Sequence, residues 1–415
     1  MQKRHNIVLL CFFAVFVCYI DRVNISVAII PMQEAFGWSD TTKGFVLSSF
    51  FVGYMLTQAP SGWLTNRLGG KIVLGTAVLW WSIFTLLTPF AALLSLPILI
   101  ATRILMGIGE AAMFPAAYGA LGNWVPEKER GRSIGFMVGG IPLGTLFALS
   151  TTGWIVDRFG WPWAFYGFGL LGVLWSIAWY FKSTDYPADY PGISEEEKLL
   201  LSELGHGKED TKEIPWKTLL THRAVIVMYI NHFSSNWGLY LLLAWLPSYF
   251  KDVQGLSLSN AGLYSAAPWL TMFIMANAAG WIADAIKGRG VSTTSVRKLM
   301  QCTGLFGSAA FFLFAQNADT PLYALGLMCG ALGFIALTWA GWAPNPIDIA
   351  PRYADVVMGI SNTFATIPGI VGVALAGWLV DQSGSYNSVF ILAAIVQVAG
   401  GMLWLMFATA ETIVD

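Results

Sequence analysis

Asp21 and Arg22 stand side by side in CYIDRVNISVA, residues 18–28, a stretch otherwise suited to an apolar environment. Ile7 to Ile20 carries no charge, and Val23 to Ile30 adds only Asn24 and Ser26 as polar side chains. A charged side chain at the centre of a membrane helix costs about 2.5–3.5 kcal/mol on insertion scales, so such residues tend to mark ion, proton or substrate pathways. RILMGIGE supplies a second base and acid, Arg103 and Glu110. Their spacing is nearly two helical turns, which puts them on one face about 10 Å apart. The four groups sum to zero formal charge, which makes their joint burial tolerable. The other use of such a set is a structural network that staples two helices together.

These charges need elements to hold them. The chain has 415 residues, of which 56% are hydrophobic and 11% charged, with a mean hydropathy of +0.61. A soluble domain carries about 25% charged residues, so a water-facing surface is excluded. The 43 glycines and 19 tryptophans fit a helical membrane protein, in which small residues let helices approach and Trp sits at the interfaces. A spanning helix needs about 20 predominantly apolar residues. On that basis the sequence predicts an all-α membrane protein with twelve spans. The first six fall near 7–30, 43–66, 72–92, 96–124, 133–156 and 162–181, and the second six near 222–250, 262–286, 299–316, 321–347, 355–380 and 388–409. Three parts follow: an N-terminal six-helix half (1–181), a central loop (182–221) and a C-terminal six-helix half (222–415). Within the loop, ISEEEKLLLSEL reads as an amphipathic surface helix with Ser194 as N-cap and Glu197 closing a capping box.

Lys43, Arg158 and Lys251 fall on one side of this arrangement, Arg22 and Arg103 within helices, and the remaining Lys and Arg on the side of both termini. The positive-inside rule places the termini and the central loop in the cytoplasm, with the plasma membrane, and a bacterial inner membrane in particular, as the expected location. The N-terminal apolar stretch runs too far, and carries Asp21 and Arg22 too early, to read as a cleavable signal peptide. GWLTN begins at Gly62, GWIVD at Gly153, GWIAD at Gly280 and GWLVD at Gly377. These close the second, fifth, eighth and eleventh spans, one copy per three-helix unit. Inverted three-helix repeats nested in six-helix halves are a signature of alternating-access transporters. The net charge of −1 gives no sign of nucleic acid. No Walker loop is present to bind ATP, and the four cysteines (Cys11, Cys18, Cys302, Cys329) form no C-x-x-C pair. They read as small buried hydrophobes. Without a metal or nucleophile cluster, enzyme activity is not expected, nor is a cofactor other than a coupling ion.

GWLTNRLGGK, which begins at Gly62, resembles the loop motif after the second helix in the major facilitator superfamily, with Asn66 in place of the usual acid. YIDRVNISVA, RILMGIGEAAMFPA, NHFSSNWGLYLLLAWLPSYF and NPIDIAPRYADVVMGISNTFATIPGIVG are similar to segments of its anion:cation symporter family. That resemblance implies transport of small organic anions such as sugar acids, sialic acid and glutamate, or of phosphate, often with protons. Vesicular glutamate carriers have a His in the second helix and an Arg in the seventh; Leu47 and Ser235 stand at those positions here. Asp21 beside Arg22 resembles bacterial carriers of galactonate, glucarate and hexuronates. The seventh and eleventh helices read more like the sialin and plant phosphate-carrier branches.

The resemblance also implies roles. The first and fourth helices line the central cavity in this superfamily. Arg22 and Arg103 would hold a carboxylate or phosphate, for which a planar guanidinium is matched. Asp21 and Glu110 would carry protons, and Glu110 would compete with the anion for Arg22, which makes proton and anion binding cooperative. Asp21, about 100° around the helix from Arg22, is expected to face the gap between the halves. Tyr54 and Gln58, one turn apart, are expected to face the cavity, as are Asn236 in the seventh helix and Asn362 and Thr366 on one face of the eleventh. His232, beside Asn231 and near Ser235, is either a pH-sensitive group or a structural histidine. Pro368 is placed to relax the eleventh helix, and Trp339, Trp342, Pro344 and Pro346 suggest packing and a break in the tenth. The sequence thus points to a monomeric, proton-coupled symporter of a small organic anion, most simply a sugar acid. A phosphate carrier or a sodium-coupled anion carrier is the alternative.

Overall fold

The computed structural model describes residues 2–202 and 214–414. All of the regular structure in them is helical. The twelve spans are Lys3–Phe36, Asp40–Leu68, Gly70–Leu94, Leu96–Trp124, Glu129–Phe159, Pro162–Lys182, Arg223–Asp252, Leu258–Gly288, Thr293–Ala315, Pro321–Ile349, Pro351–Ser383 and Asn387–Phe407. They are called the first to twelfth helices below. Among the described residues ten of them have the length and hydropathy of a membrane crossing. The second and seventh, at 29 and 30 residues, are as long but carry polar side chains through their middle. At a rise of 1.5 Å per residue, the 34-residue first helix reaches about 50 Å, well past the roughly 30 Å hydrocarbon layer. The chain packs as two compact units, Met1–Ala28 with Ser49–Ala148 and Trp154–Thr211, and Ile29–Ser48 with Leu149–Gly153 and Lys212–Asp415.

Several spans are interrupted, and proline explains three of the breaks. The fourth helix stops at Glu110 and resumes at Met113. Pro115 has no N–H for the carbonyl of Ala111 four residues back, and its ring crowds that carbonyl. Ser61 Oγ of the second helix lies 3.3 Å from the freed Ala111 oxygen and donates to it, the kind of repair that a membrane interior demands. The fifth helix likewise divides at Gly139, with Pro142 four residues after Val138. The tenth passes from α-helix at Leu337 into a 3-10 turn, Thr338–Ala340, and a short helix, Asn345–Ile349. Its loosened backbone is held from the ninth helix: Arg297 Nη1 donates to Ala340 O at 3.1 Å, and Gln301 Oε1 accepts from Trp342 N at 3.2 Å. Pro368 opens a π turn, Pro368–Gly372, in the eleventh. The breaks expected at Pro344–Pro346 and Pro368 are therefore present.

Helix N-termini leave unsatisfied N–H groups, and at three of these termini a distant carboxylate accepts from them. Asp185 accepts from Lys71 N at 2.7 Å at the start of the third helix, beside Gly69, whose φ of 87° lies in the region open to glycine. Asp381 accepts from Asp40 N at 2.9 Å and Thr41 N at 2.7 Å. Glu197 accepts from Lys3 N at 3.0 Å and Arg4 N at 2.9 Å. That last pairing corrects the capping box. Ser194 does cap the loop helix, Glu195–Ser202, by accepting from Glu197 N at 3.2 Å. The Glu197 carboxylate, however, does not reach back to Ser194. It turns to the first helix, where two N–H donors and the Arg4 guanidinium at 3.6 Å offer more than one backbone N–H. Residues 203 and 204 of the expected loop helix lie outside the described residues.

Candidate functional site

Small residues set the site of the first unit. Gly53 of the second helix faces the backbone of Ile104, and Gly107 of the fourth faces the backbone of Phe50; a Cβ at either would collide with a carbonyl. This reciprocal contact brings Phe50 and Tyr54 alongside Arg103 and Glu110. Cys18 and Arg22, one turn apart on the first helix, complete the group.

At its centre is a buried ion pair. Arg22 Nη2 lies 2.9 Å and Nε 3.0 Å from Oε2 of Glu110, and both residues are almost wholly enclosed. Three rings surround the guanidinium carbon, Tyr19 and Tyr54 at 4.8 Å and Phe50 at 5.0 Å. Phe50 also lies 5.4 Å from the Arg103 guanidinium, so one π face steadies both cations. Arg103 is 1% exposed. Its Nη1 contacts Met106 Sδ at 2.9 Å, its Nε has no hydrogen-bond partner, and among the described residues it forms no ion pair. A buried cation without a carboxylate in contact is costly unless something else meets it.

Asp21 lies against the third helix. It is fully buried, and its Oδ2 accepts from Trp81 Nε1 of the third helix at 3.1 Å, with Oδ1 unpartnered. The 100° offset from Arg22 holds, and it turns Asp21 against Trp81 of its own unit. Gln58 is half-buried, and its Oε1 is without a partner.

The second unit has a neutral polar cluster. His232 stacks on Trp342 with ring centroids 3.5 Å apart, and its Nδ1 is 2.8 Å from Ser361 Oγ. Gln301 Nε2 donates to Asn231 Oδ1 at 3.1 Å and Ser235 Oγ at 3.3 Å. Asn236 Nδ2 donates to Ala365 O at 3.1 Å. Thr366 spends its hydroxyl hydrogen on Asn362 O, 2.8 Å away in its own helix, and Asn362 is half-buried. Asn231 and Gln301 here do structural work, fastening the broken tenth helix to the seventh.

Cys18, Phe50, Trp81 and Gln301 were not singled out as site residues by the sequence. Helical spacing could have found Cys18 and Phe50, each one turn from a candidate residue. Trp81 has no local signal. Lys43, counted with the outer charges, is fully buried near the start of the second helix, with Asp40 at 3.8 Å, Asp252 at 3.9 Å and the Trp245 ring at 5.1 Å.

Twelve long helices, with a buried ion pair and a second buried arginine in the first unit, mark a membrane transporter. The chain belongs to the Major Facilitator Superfamily, whose family model matches residues 11–372. It is 44% identical over 413 residues to Probable anion transporter 1, chloroplastic, of Oryza sativa subsp. japonica, covering 100% of this chain and 78% of the relative. Two proteins of Arabidopsis thaliana are each 42% identical over 413 residues and cover 100% of this chain. They are Sodium-dependent phosphate transport protein 1, chloroplastic, with 80% of its length matched, and Ascorbate transporter, chloroplastic, with 76%. The crystal structure of a D-xylose-proton symporter shares the fold at a TM-score of 0.77 and 16% identity, over 98% of this chain and 99% of that one.

Proposed function

We propose that this protein carries a small organic anion across a membrane by alternating access, in symport with protons, and that the anion is a sugar acid of the galactonate, glucarate or hexuronate type. The observation that carries the reading is the buried Arg22–Glu110 pair beside Arg103, a cation that contacts no carboxylate among the described residues. An arriving carboxylate can draw Arg22 away from Glu110 only if Glu110 gives up its negative charge. Proton uptake at Glu110 therefore favours anion binding, and by linkage anion binding favours proton uptake. Arg22 and Arg103 hold the anion, Tyr54 and Gln58 border it, and Asp21 is a second acid able to take a proton. Asn236, Asn362 and Thr366 are the neutral candidates for the hydroxyls of such a substrate, and His232 is a lesser proton candidate. The plasma membrane, cytoplasmic termini and a monomeric state complete the proposal.

A second reading, a phosphate carrier coupled to sodium, is favoured by the name of one of the 42% identical relatives. Two arginines suit phosphate as well as carboxylate. Purified protein in proteoliposomes, given labelled galactonate, glucarate, ascorbate and phosphate with and without pH and sodium gradients, separates the two. The proposal expects concentrative sugar-acid uptake driven by an inward proton gradient without sodium. Sodium-driven phosphate uptake alone supports the second reading and removes the first.

A further inference from the structure

Glu110 is held unevenly. Arg22 Nε and Nη2, at 3.0 and 2.9 Å, and Cys18 Sγ, at 3.3 Å, all converge on Oε2. Oε1 is buried and has no hydrogen-bond partner among the described residues. Cys18 is a free thiol, fully enclosed, one turn before Arg22, whose Nη2 lies 3.9 Å from the sulfur. Nothing about a small buried hydrophobe requires its S–H to point at a carboxylate. Among the described residues, the charged and titratable groups that act on Glu110 are Cys18, Asp21 and Arg22 of the first helix and Arg103 of its own, with Tyr19 and Tyr54 beside its partner Arg22. Cys18 is the uncharged donor to Glu110 among them.

We propose that Cys18 is a positioning residue for proton coupling, its S–H fixing Oε2 of Glu110 so that Oε1 is the atom that binds and releases the proton. When Arg22 leaves for an anion, Oε2 loses its charged donors, and the thiol keeps the carboxyl in place. The proton that forms the new O–H bond at Oε1 is given up by a hydronium ion of the aqueous phase, whose own O–H bond breaks, and on release it returns to water. No other bond is made or broken. The proposal rests on the reading of Arg22 and Glu110 given above.

Infrared spectroscopy of the full chain in lipid tests it without any substrate. The carboxylic C=O band of Glu110 is identified by its loss in Glu110→Gln, and the S–H band of Cys18 by its loss in Cys18→Ser. A thiol is a weak donor, so losing it in Cys18→Ala should move the pH midpoint of the Glu110 band upward by about half a unit, the size of a modest hydrogen bond. Cys18→Ser, which supplies a stronger donor, should bring the midpoint back to the parent value or below it. The S–H band should shift in Glu110→Gln, because its acceptor changes from carboxylate to amide, and this holds even if the alanine variant fails to fold. An unmoved midpoint in Cys18→Ala, or an S–H band indifferent to Glu110→Gln, overturns the proposal. Anion transport failing while both bands respond would remove the transport reading and leave the Cys18 assignment standing. A Glu110 that never titrates removes the coupling reading and this proposal together.

Discussion

Arg22→Lys is expected to lower anion uptake by about two orders of magnitude, although it keeps the positive charge. The guanidinium presents two of its N–H groups to a single carboxylate oxygen while lying among the rings of Tyr19, Phe50 and Tyr54. An ammonium group has neither the planar fork nor the flat face that stacks on an aromatic ring. Losing one charge-assisted hydrogen bond and part of the stacking costs about 2–4 kcal/mol, and each 1.4 kcal/mol is a factor of about ten. The comparison requires that the lysine variant reach the membrane in parental amounts with a similar melting temperature. Uptake within a few-fold of the parent would reduce Arg22 to a staple between the first and fourth helices.

Glu110→Gln should abolish proton-driven accumulation while leaving exchange of labelled for unlabelled anion across the membrane. Glutamine imitates the protonated acid: it is neutral and can still accept a hydrogen bond from Arg22, so the loaded carrier retains its moving state. The return of the empty carrier with a deprotonated Glu110 on Arg22 is no longer available. Arg22 also loses its charged partner, and an uncompensated buried charge is worth about 3–5 kcal/mol of destabilisation. An added anion should therefore raise the melting temperature of this variant more than that of the parent. Counterflow that disappears along with uptake would make Glu110 structural.

The fold was legible because the membrane leaves few choices. Each crossing must satisfy its backbone within a helix of about 20 apolar residues, and twelve such stretches can be counted without knowing any contact. The four GW-containing repeats gave the three-helix units. Within the site, Arg22 and Glu110 could be matched because few residues in the first six spans are charged. The break after Glu110 has its signal in Pro115, within RILMGIGEAAMFPA.

What stayed hidden depended on contacts between distant segments. Glu197 fitted a local capping box by spacing, yet the first helix offered it stronger partners. Asp21 had no neighbour in sequence to suggest Trp81, sixty residues away. Lys43 counted as an outer charge because its burial is created by Trp245 and Asp252 of another helix. Gln301 carried no functional signal, because its task is to support a break in the tenth helix.

The central claim is that anion and proton move together through Glu110. It is tested most directly by recording the external pH of a weakly buffered suspension of proteoliposomes, with no imposed gradient and no sodium, as an anion known to be carried is added. The account predicts that the medium turns alkaline as protons enter with the anion, and that the signal vanishes in Glu110→Gln although exchange persists. Anion entry with no change in external pH, or entry that begins only when sodium is supplied, would contradict it.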